Sequence, residues 1–267
     1  MIHPFNHGIW DAAQAAFRPF TMSVKTDNSG ISNSDQFTLP LKSTGTYSFT
    51  VKWGDGSSNI ITSYNQAEIT HTYSVAGTYT VQIFGACDHI YFQNVGVSDG
   101  LKLLDITQWG DVVIGSMSSS YRHCQNLVGT WTDTPTFSGG TGENISFNNA
   151  FSYCYLLTNS TFDSWTMTQI GDCVQMFRNA SVLDIEVSSW DVTGTGINLD
   201  DFMINTSLST ANYDTMLIAW ATQNPTWASG CSLGVGSTTY TTATAGASRT
   251  TLAAATSSWT ITDGGGI

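Results

Sequence analysis

A repeat governs what this chain can fold into. The pattern apolar-x-x-x-aromatic or Met-x-x-small recurs as Met117…Tyr121…Cys124, Phe147…Phe151…Cys154, Cys173…Phe177…Ala180 and Leu199…Met203…Thr206. The anchor residues lie 30, 26 and 26 positions apart, by difference of their numbers. A Trp precedes each anchor (Trp109, Trp131, Trp165, Trp190), and Leu127, Leu157 and Leu183 follow theirs at a constant offset. The extra length before Phe151 falls around Ser138-Gly139-Gly140-Thr141-Gly142, which reads as a loop excursion. One unit of this size cannot bury its own apolar face. Stacked units cover one another, so equivalent side chains form ladders along a solenoid. Tyr121, Phe151, Phe177 and Met203 are therefore expected in one core column. Their regular register with Cys, Ala and Thr favours that reading over a ligand-stacking strip.

The same residues carry a resemblance. Cys173-Val174-Gln175-Met176-Phe177-Arg178-Asn179-Ala180 and Ser188-Ser189-Trp190-Asp191-Val192-Thr193 resemble the BspA-type leucine-rich repeat family. Its pattern is roughly M-x-x-M-F-x-x-[AC]-x-x-[FL], then W-[DN]-[VT]. The resemblance covers residues 97–212 as four rungs. It departs in the first, where Ser120 replaces the apolar residue before the anchor. It implies a short-rung solenoid of the kind found in bacterial surface proteins and bacteriophages.

Residues 22–95 alternate with period two, as half-buried strands do. Phe37, Leu39 and Leu41 form one set, Tyr47, Phe49, Val51 and Trp53 a second, and Tyr79, Val81 and Ile83 a third. Gly54-Asp55-Gly56 makes a tight turn in which Gly supplies positive φ and Asp bonds nearby amides. Trp53-Gly54-Asp55-Gly56, His71-Thr72-Tyr73 and Gly77-Thr78-Tyr79-Thr80-Val81 together resemble the PKD domain, an immunoglobulin-like β-sandwich. That resemblance implies a spacer or adhesion module without an active site. Asp55 is read as ordering its own turn in preference to acting as a catalytic acid or metal ligand. His71 is read as a hydrogen-bonded strand residue.

The tail, 213–267, reads as a cap over the last rung. The spacing predicts a helix at Tyr213–Trp220, a strand over Val235–Thr241, an Ala-rich helix over Ala243–Ala255 and a strand over Trp259–Thr262. This order, ending in WTITDGG, also looks like the C-terminus of phage proteins with such repeats. The arm, 1–21, carries Ile9, Trp10, Phe17 and Phe20 without repeat or strand pattern. It is either an anchor on another protein or a flap on the first module, and the anchor is favoured.

Composition narrows the role. Twenty acidic against eight basic residues give a net charge of −12, and only 10 % of residues are charged. The basic residues are scattered, which disfavours nucleic-acid binding. No apolar run reaches the length of a membrane span. The start, with Pro4, His3 and His7 where an apolar core would begin, does not read as a secretory signal. Five cysteines without a CxxC pair are expected to be reduced. No catalytic set is evident: there is no GxSxG, HExxH or P-loop. Stacked rungs could bring two carboxylates together, for example Asp172 and Asp191, but these read as solvent-facing turn residues. No cofactor is required, although turn Asp residues leave room for an incidental Ca²⁺.

The expected fold is mainly β: a PKD-like sandwich, a short leucine-rich-repeat solenoid and a small α/β cap. The expected role is a non-enzymatic structural protein on the surface of a tailed-phage particle, on capsid or tail, made in the host cytoplasm. Its partners would be other virion proteins through the arm, a host-surface glycan or protein through the solenoid, and further copies of itself. A bacterial cell-surface adhesin and a polysaccharide-degrading tailspike are the alternatives.

Overall fold

The computed structural model describes residues 17–93, 96–138, 145–167, 171–193, 197–223, 231–254 and 259–267. Among these the protein is mainly β, with two α-helices. The N-terminal half holds β1 (Phe20–Lys25), β2 (Gln36–Thr38), β3 (Tyr47–Lys52), β4 (Ser58–Ile61), β5 (Thr70–Thr72), β6 (Thr78–Cys87) and β7 (Leu103–Gln108). One antiparallel sheet has the order β4-β3-β6-β1-β7, and β2 pairs with β5 separately. Alternation works as the sequence predicts: Tyr47, Phe49 and Val51 of β3 point inward while Ser48 and Lys52 face solvent.

Two expectations fail here. The first is the boundary near residue 96. Strand β7 belongs by number to the repeat region, yet it pairs with β1 and buries Leu103 and Ile106. The sheet therefore runs across the boundary, and the apolar core is continuous from Phe20 to Trp259. The second is the arm. Phe20 opens β1 opposite Ile83, is buried, and packs on Trp109 with ring centroids 5.6 Å apart. Phe20 is core, so a free arm cannot extend to residue 21. Pairing with β6 fixes Phe20 in the sheet, and Trp109 covers its ring.

Beyond β7 the chain coils. Short strands β8 (Val113–Ile114) and β9 (Thr136–Phe137) pair in parallel, as successive coils must. On another face the coils join through alternate N–H groups. Met117, Ser119, Tyr121 and His123 donate to the carbonyls of Ser146, Asn148, Ala150 and Ser152 at 2.8–3.1 Å. Phe147, Asn149, Phe151 and Tyr153 donate in the same way to Asp172, Val174, Met176 and Arg178. Cys173, Gln175, Phe177 and Asn179 repeat the pattern onto Asn198, Asp200, Phe202 and Ile204.

Each of these stretches is two consecutive tight turns. Ala150 N–H closes on Phe147 and Cys154 N–H on Phe151, with equivalents in the other coils. The third residue of every turn has positive φ: Ser119, Asn149, Gln175 and Asp201 at 53–58°, and His123, Tyr153, Asn179 and Asn205 at 59–63°. A type II turn requires that conformation and favours Gly or Asn there. Ser, His, Tyr and Gln adopt it at a cost of about 1–2 kcal/mol each. The bonds to the next coil hold them in place.

The C-terminal segment continues the stack. Helix α1 (Thr210–Thr222) starts at Ser209, whose hydroxyl accepts from Asn212 N–H. Strand β10 (Ser232–Gly234) receives the N–H groups of Leu199 and Met203 and pairs in parallel with β11 (Thr260–Thr262). Helix α2 (Thr242–Ala253) lies between them in sequence and packs on α1. The strand expected over 235–241 is displaced to 232–234. A turn bonding Thr238 to Val235, with Gly236 at φ 67°, ends the extended run.

Candidate functional site

The Trp53-Gly54-Asp55-Gly56 motif closes a polar lock. Gly54 has φ 92°, and a Cβ there would lie 2.5 Å from the Thr80 carbonyl oxygen, so only glycine fits. Asp55 accepts from Ser57 N–H and hydroxyl on one oxygen and meets His71 Nε2 at 2.8 Å on the other. The His71 ring stacks on Trp53 at 4.8 Å, and Tyr73 stacks on Tyr79 at 3.8 Å. Tyr73 O–H donates to the Trp53 carbonyl, and Trp53 Nε1 donates to Asn59. Gly77 N–H is tied to Thr26 Oγ1. The polar atoms of Trp53, Asp55, His71 and Tyr73 are thus bonded within the module, and Asp55 orders its own turn.

Burial opposes the Asp55 charge, but the Ser57 and His71 hydrogen bonds outweigh it and hold the carboxyl down to about 2. A depressed carboxyl stabilises the fold above its unfolded pKa, about 3.9. That contribution is lost as pH falls through the folded value. Thermal melts should therefore show a stability loss between about pH 4 and pH 2. Asp55→Asn should remove part of it; an unchanged pH profile in that variant would contradict the lock.

The repeat anchors are core residues. Tyr121, Phe151, Phe177 and Met203 are all buried. Tyr121 stacks on Phe151 at 5.3 Å and Phe151 on Phe177 at 5.9 Å, while Phe177 meets the Phe202 ring at 5.4 Å. Trp109, Trp131 and Trp165 pack beside them with centroids 5.2–6.3 Å apart. The gap between the sheet and the first coils, lined by Phe20, Ile83 and Tyr121 among others, holds about 10 Å³. That is too little for a ligand.

Asp172 and Asp191 serve their own turns. Asp172 accepts from Val174 N–H and the Asn148 amide, and Asp191 from Thr193 N–H and hydroxyl. Among the described residues no group of three or more His, Cys, Asp and Glu is placed to hold a metal.

All five cysteines are free and buried. Burial pushes each thiol pKa up, that of Cys231 to about 12. Alkylation without reductant should therefore be slow on the folded protein and label five thiols after denaturation, as intact mass would report. A mass two hydrogens short with three labels would show a disulfide.

Of the residues assigned to the arm, Ile9 and Trp10 lie outside the described residues. Phe17 packs on the body with its ring 6.4 Å from Phe84, and Arg18 makes a two-point contact with Asp111 at 2.8 and 3.0 Å. Phe20 is core, as described above.

A buried pair escaped the sequence reading. Lys102 and Asp99 have fully buried side chains, 3.9 Å apart. Lys102 Nζ donates to the carbonyls of Ser32, Asn33 and Gln36 and to the Ser32 hydroxyl at 2.7–3.2 Å. Asp99 accepts from Ile31, Ser32 and Thr38 N–H and from the Ser32 hydroxyl. Together they tie the 31–38 segment to β7. Desolvation lowers the Lys102 pKa against the pull of Asp99.

At the second positive-φ position of each coil the side chains meet in a half-exposed strip. The His123 and Tyr153 rings stack at 4.2 Å, and the Asn205 amide donates to Asn179 at 2.8 Å. Tyr155, Leu156 and Val182 are exposed on neighbouring positions, the last two in equivalent places of adjacent coils. A strip of ring edges and amides at one-coil spacing can bind an extended ligand. Comparison with family models, curated proteins and solved structures finds no match for this chain.

Proposed function

We propose that the protein is a non-enzymatic structural component displayed on a tailed-phage particle. In this reading an immunoglobulin-like PKD sandwich acts as spacer and a BspA-type leucine-rich-repeat solenoid of four rungs meets host-surface glycan or protein. The α/β unit after residue 213 covers the last rung. The observation that carries the recognition role is the half-exposed strip His123, Tyr153, Asn179 and Asn205, repeated at coil spacing and flanked by exposed Tyr155, Leu156 and Val182. The engagement of Asp55, Asp172 and Asp191 in their own turns supports a binding role over catalysis.

Attachment is assigned to the segment ahead of the body, through Ile9 and Trp10. The proper truncation removes residues 1–16, because Arg18 and Phe20 belong to the folded body. Mass spectrometry of purified virions should detect the chain. Added to particles that lack it, the full chain should co-sediment and the truncated chain should stay in solution. Absence from virions would overturn the particle reading, and equal pelleting of both chains would move the anchor onto the body. Release of reducing sugar from host polysaccharide would overturn the non-enzymatic reading.

A further inference from the structure

The basic residues, few as they are, are almost all spoken for. Arg18 pairs with Asp111, Lys25 with Asp27, Lys102 with Asp99, Arg178 with Asp201 and Arg249 with Asp263. Lys42 and Lys52 lie over the Tyr91 and Phe84 rings. Arg122 is different: among the described residues it has no carboxylate, carbonyl or ring partner. Its Nε is buried with nothing to accept from it, and the neighbouring His123 Nδ1 is buried and equally unpartnered. Buried donors without acceptors are costly, and natural folds leave few of them.

Arg122 and His123 line one cavity of about 130 Å³ against the β1–β2 connection and the segment leading into β7. The rest of its wall includes Ser29, Gly30, Gly96 and Gly100, so backbone and small groups share the wall with Arg122 and His123. Gly30 has to be small, because a Cβ there would lie 2.3 Å from Asp99 Oδ1. The imidazole is held in place by its stack on Tyr153 and by the His123 N–H bond to the Ser152 carbonyl at 2.8 Å. Asp99, the acidic group behind Gly30, has its oxygens engaged by Ile31, Ser32 and Thr38. Burial, and then the neighbouring Arg122 charge, lower the His123 pKa and favour the neutral imidazole, in which one ring nitrogen still carries a hydrogen to donate.

We propose that this cavity binds an oxyanion, a carboxylate, sulfate or phosphate group, with Arg122 as counter-charge and His123 as second donor. Guanidinium suits such groups because its planar fork matches two oxygens at once. The net charge of −12 does not forbid it, because charges beyond about 8 Å are largely screened at physiological salt. The site stands on this geometry alone, whether or not the protein sits on a virion.

The test is a titration of the full chain at constant ionic strength with sodium sulfate, sodium glucuronate and glucose, followed by calorimetry and by the His123 ring resonances. Both anions should shift those resonances saturably, and glucose should not. Arg122→Gln should weaken binding tenfold or more, while Lys25→Gln, remote from the cavity lining, should bind like the parent. His123→Asn keeps a residue suited to positive φ and should also weaken binding, which covers the case of Arg122→Gln failing to fold. Tighter binding of glucuronate would identify a sugar-acid carboxylate, and tighter binding of sulfate a mineral anion or its ester; either supports the site. No saturable shift with either anion, or binding by Arg122→Gln equal to the parent, would overturn it.

Discussion

Replacing Lys102 by Met is expected to lower the unfolding free energy by about 3–5 kcal/mol. The ammonium is fully buried and is shared among three carbonyls and one hydroxyl. Met matches its length and keeps its packing, so the loss isolates the charge. Without it, Asp99 remains a buried anion beside three stranded carbonyls, and uncompensated buried charge is the costly outcome. Lys25→Met is the comparison, because its pairing with Asp27 is solvent-exposed and worth about 0–1 kcal/mol. Urea midpoints of the two variants decide the matter. Equal midpoints would mean that Lys102 is dispensable and that the 31–38 segment is held by backbone bonds alone.

Phe177→Ala should cost a similar amount, about 3–5 kcal/mol. Its ring lies between Phe151 and Phe202 and also meets Phe162 at 4.8 Å. A cavity there faces two neighbouring coils, and bonds from Phe177 N–H to Phe202 and from Phe151 N–H to Met176 limit how far those coils can close on it. The exposed Val182→Ala, on the same coil, should change stability by less than about 0.5 kcal/mol. Ser189 is a poorer control than its exposed position suggests, since its N–H and hydroxyl both bond Asp163 of the preceding coil. Equal midpoints for Phe177→Ala and Val182→Ala would refute the register of the stack.

Elements that depend on local chemistry could be read before any coordinates. The anchor column was legible because stacking demands a fixed period, and Tyr121, Phe151, Phe177 and Met203 share one hydrogen-bond register. The Trp53–Gly56 turn was legible because positive φ and an Asx-type bond have few residue solutions. Helix α1 was legible from its apolar spacing; α2 was found within two residues at each end.

Long-range pairing decided the rest. Leu103–Gln108 carries no mark that it will leave the repeat to join β1, because strand partners are chosen by which edge remains open. Phe20 has the same local sequence signal in a strand as in a loose arm; only its pairing with β6 and the Trp109 ring laid against it make it core. A lone lysine in an apolar run ordinarily snorkels to water. Lys102 is buried because carbonyls some 66 to 70 positions earlier in the chain converge on it. Tyr153 and Gln175 are poor choices for positive φ, and their conformation is imposed by bonds to the next coil that exist only once the coils have stacked. The strip and the Arg122 cavity emerge from that stacking, which is why period and motif revealed the scaffold and left these surface features to the tertiary structure.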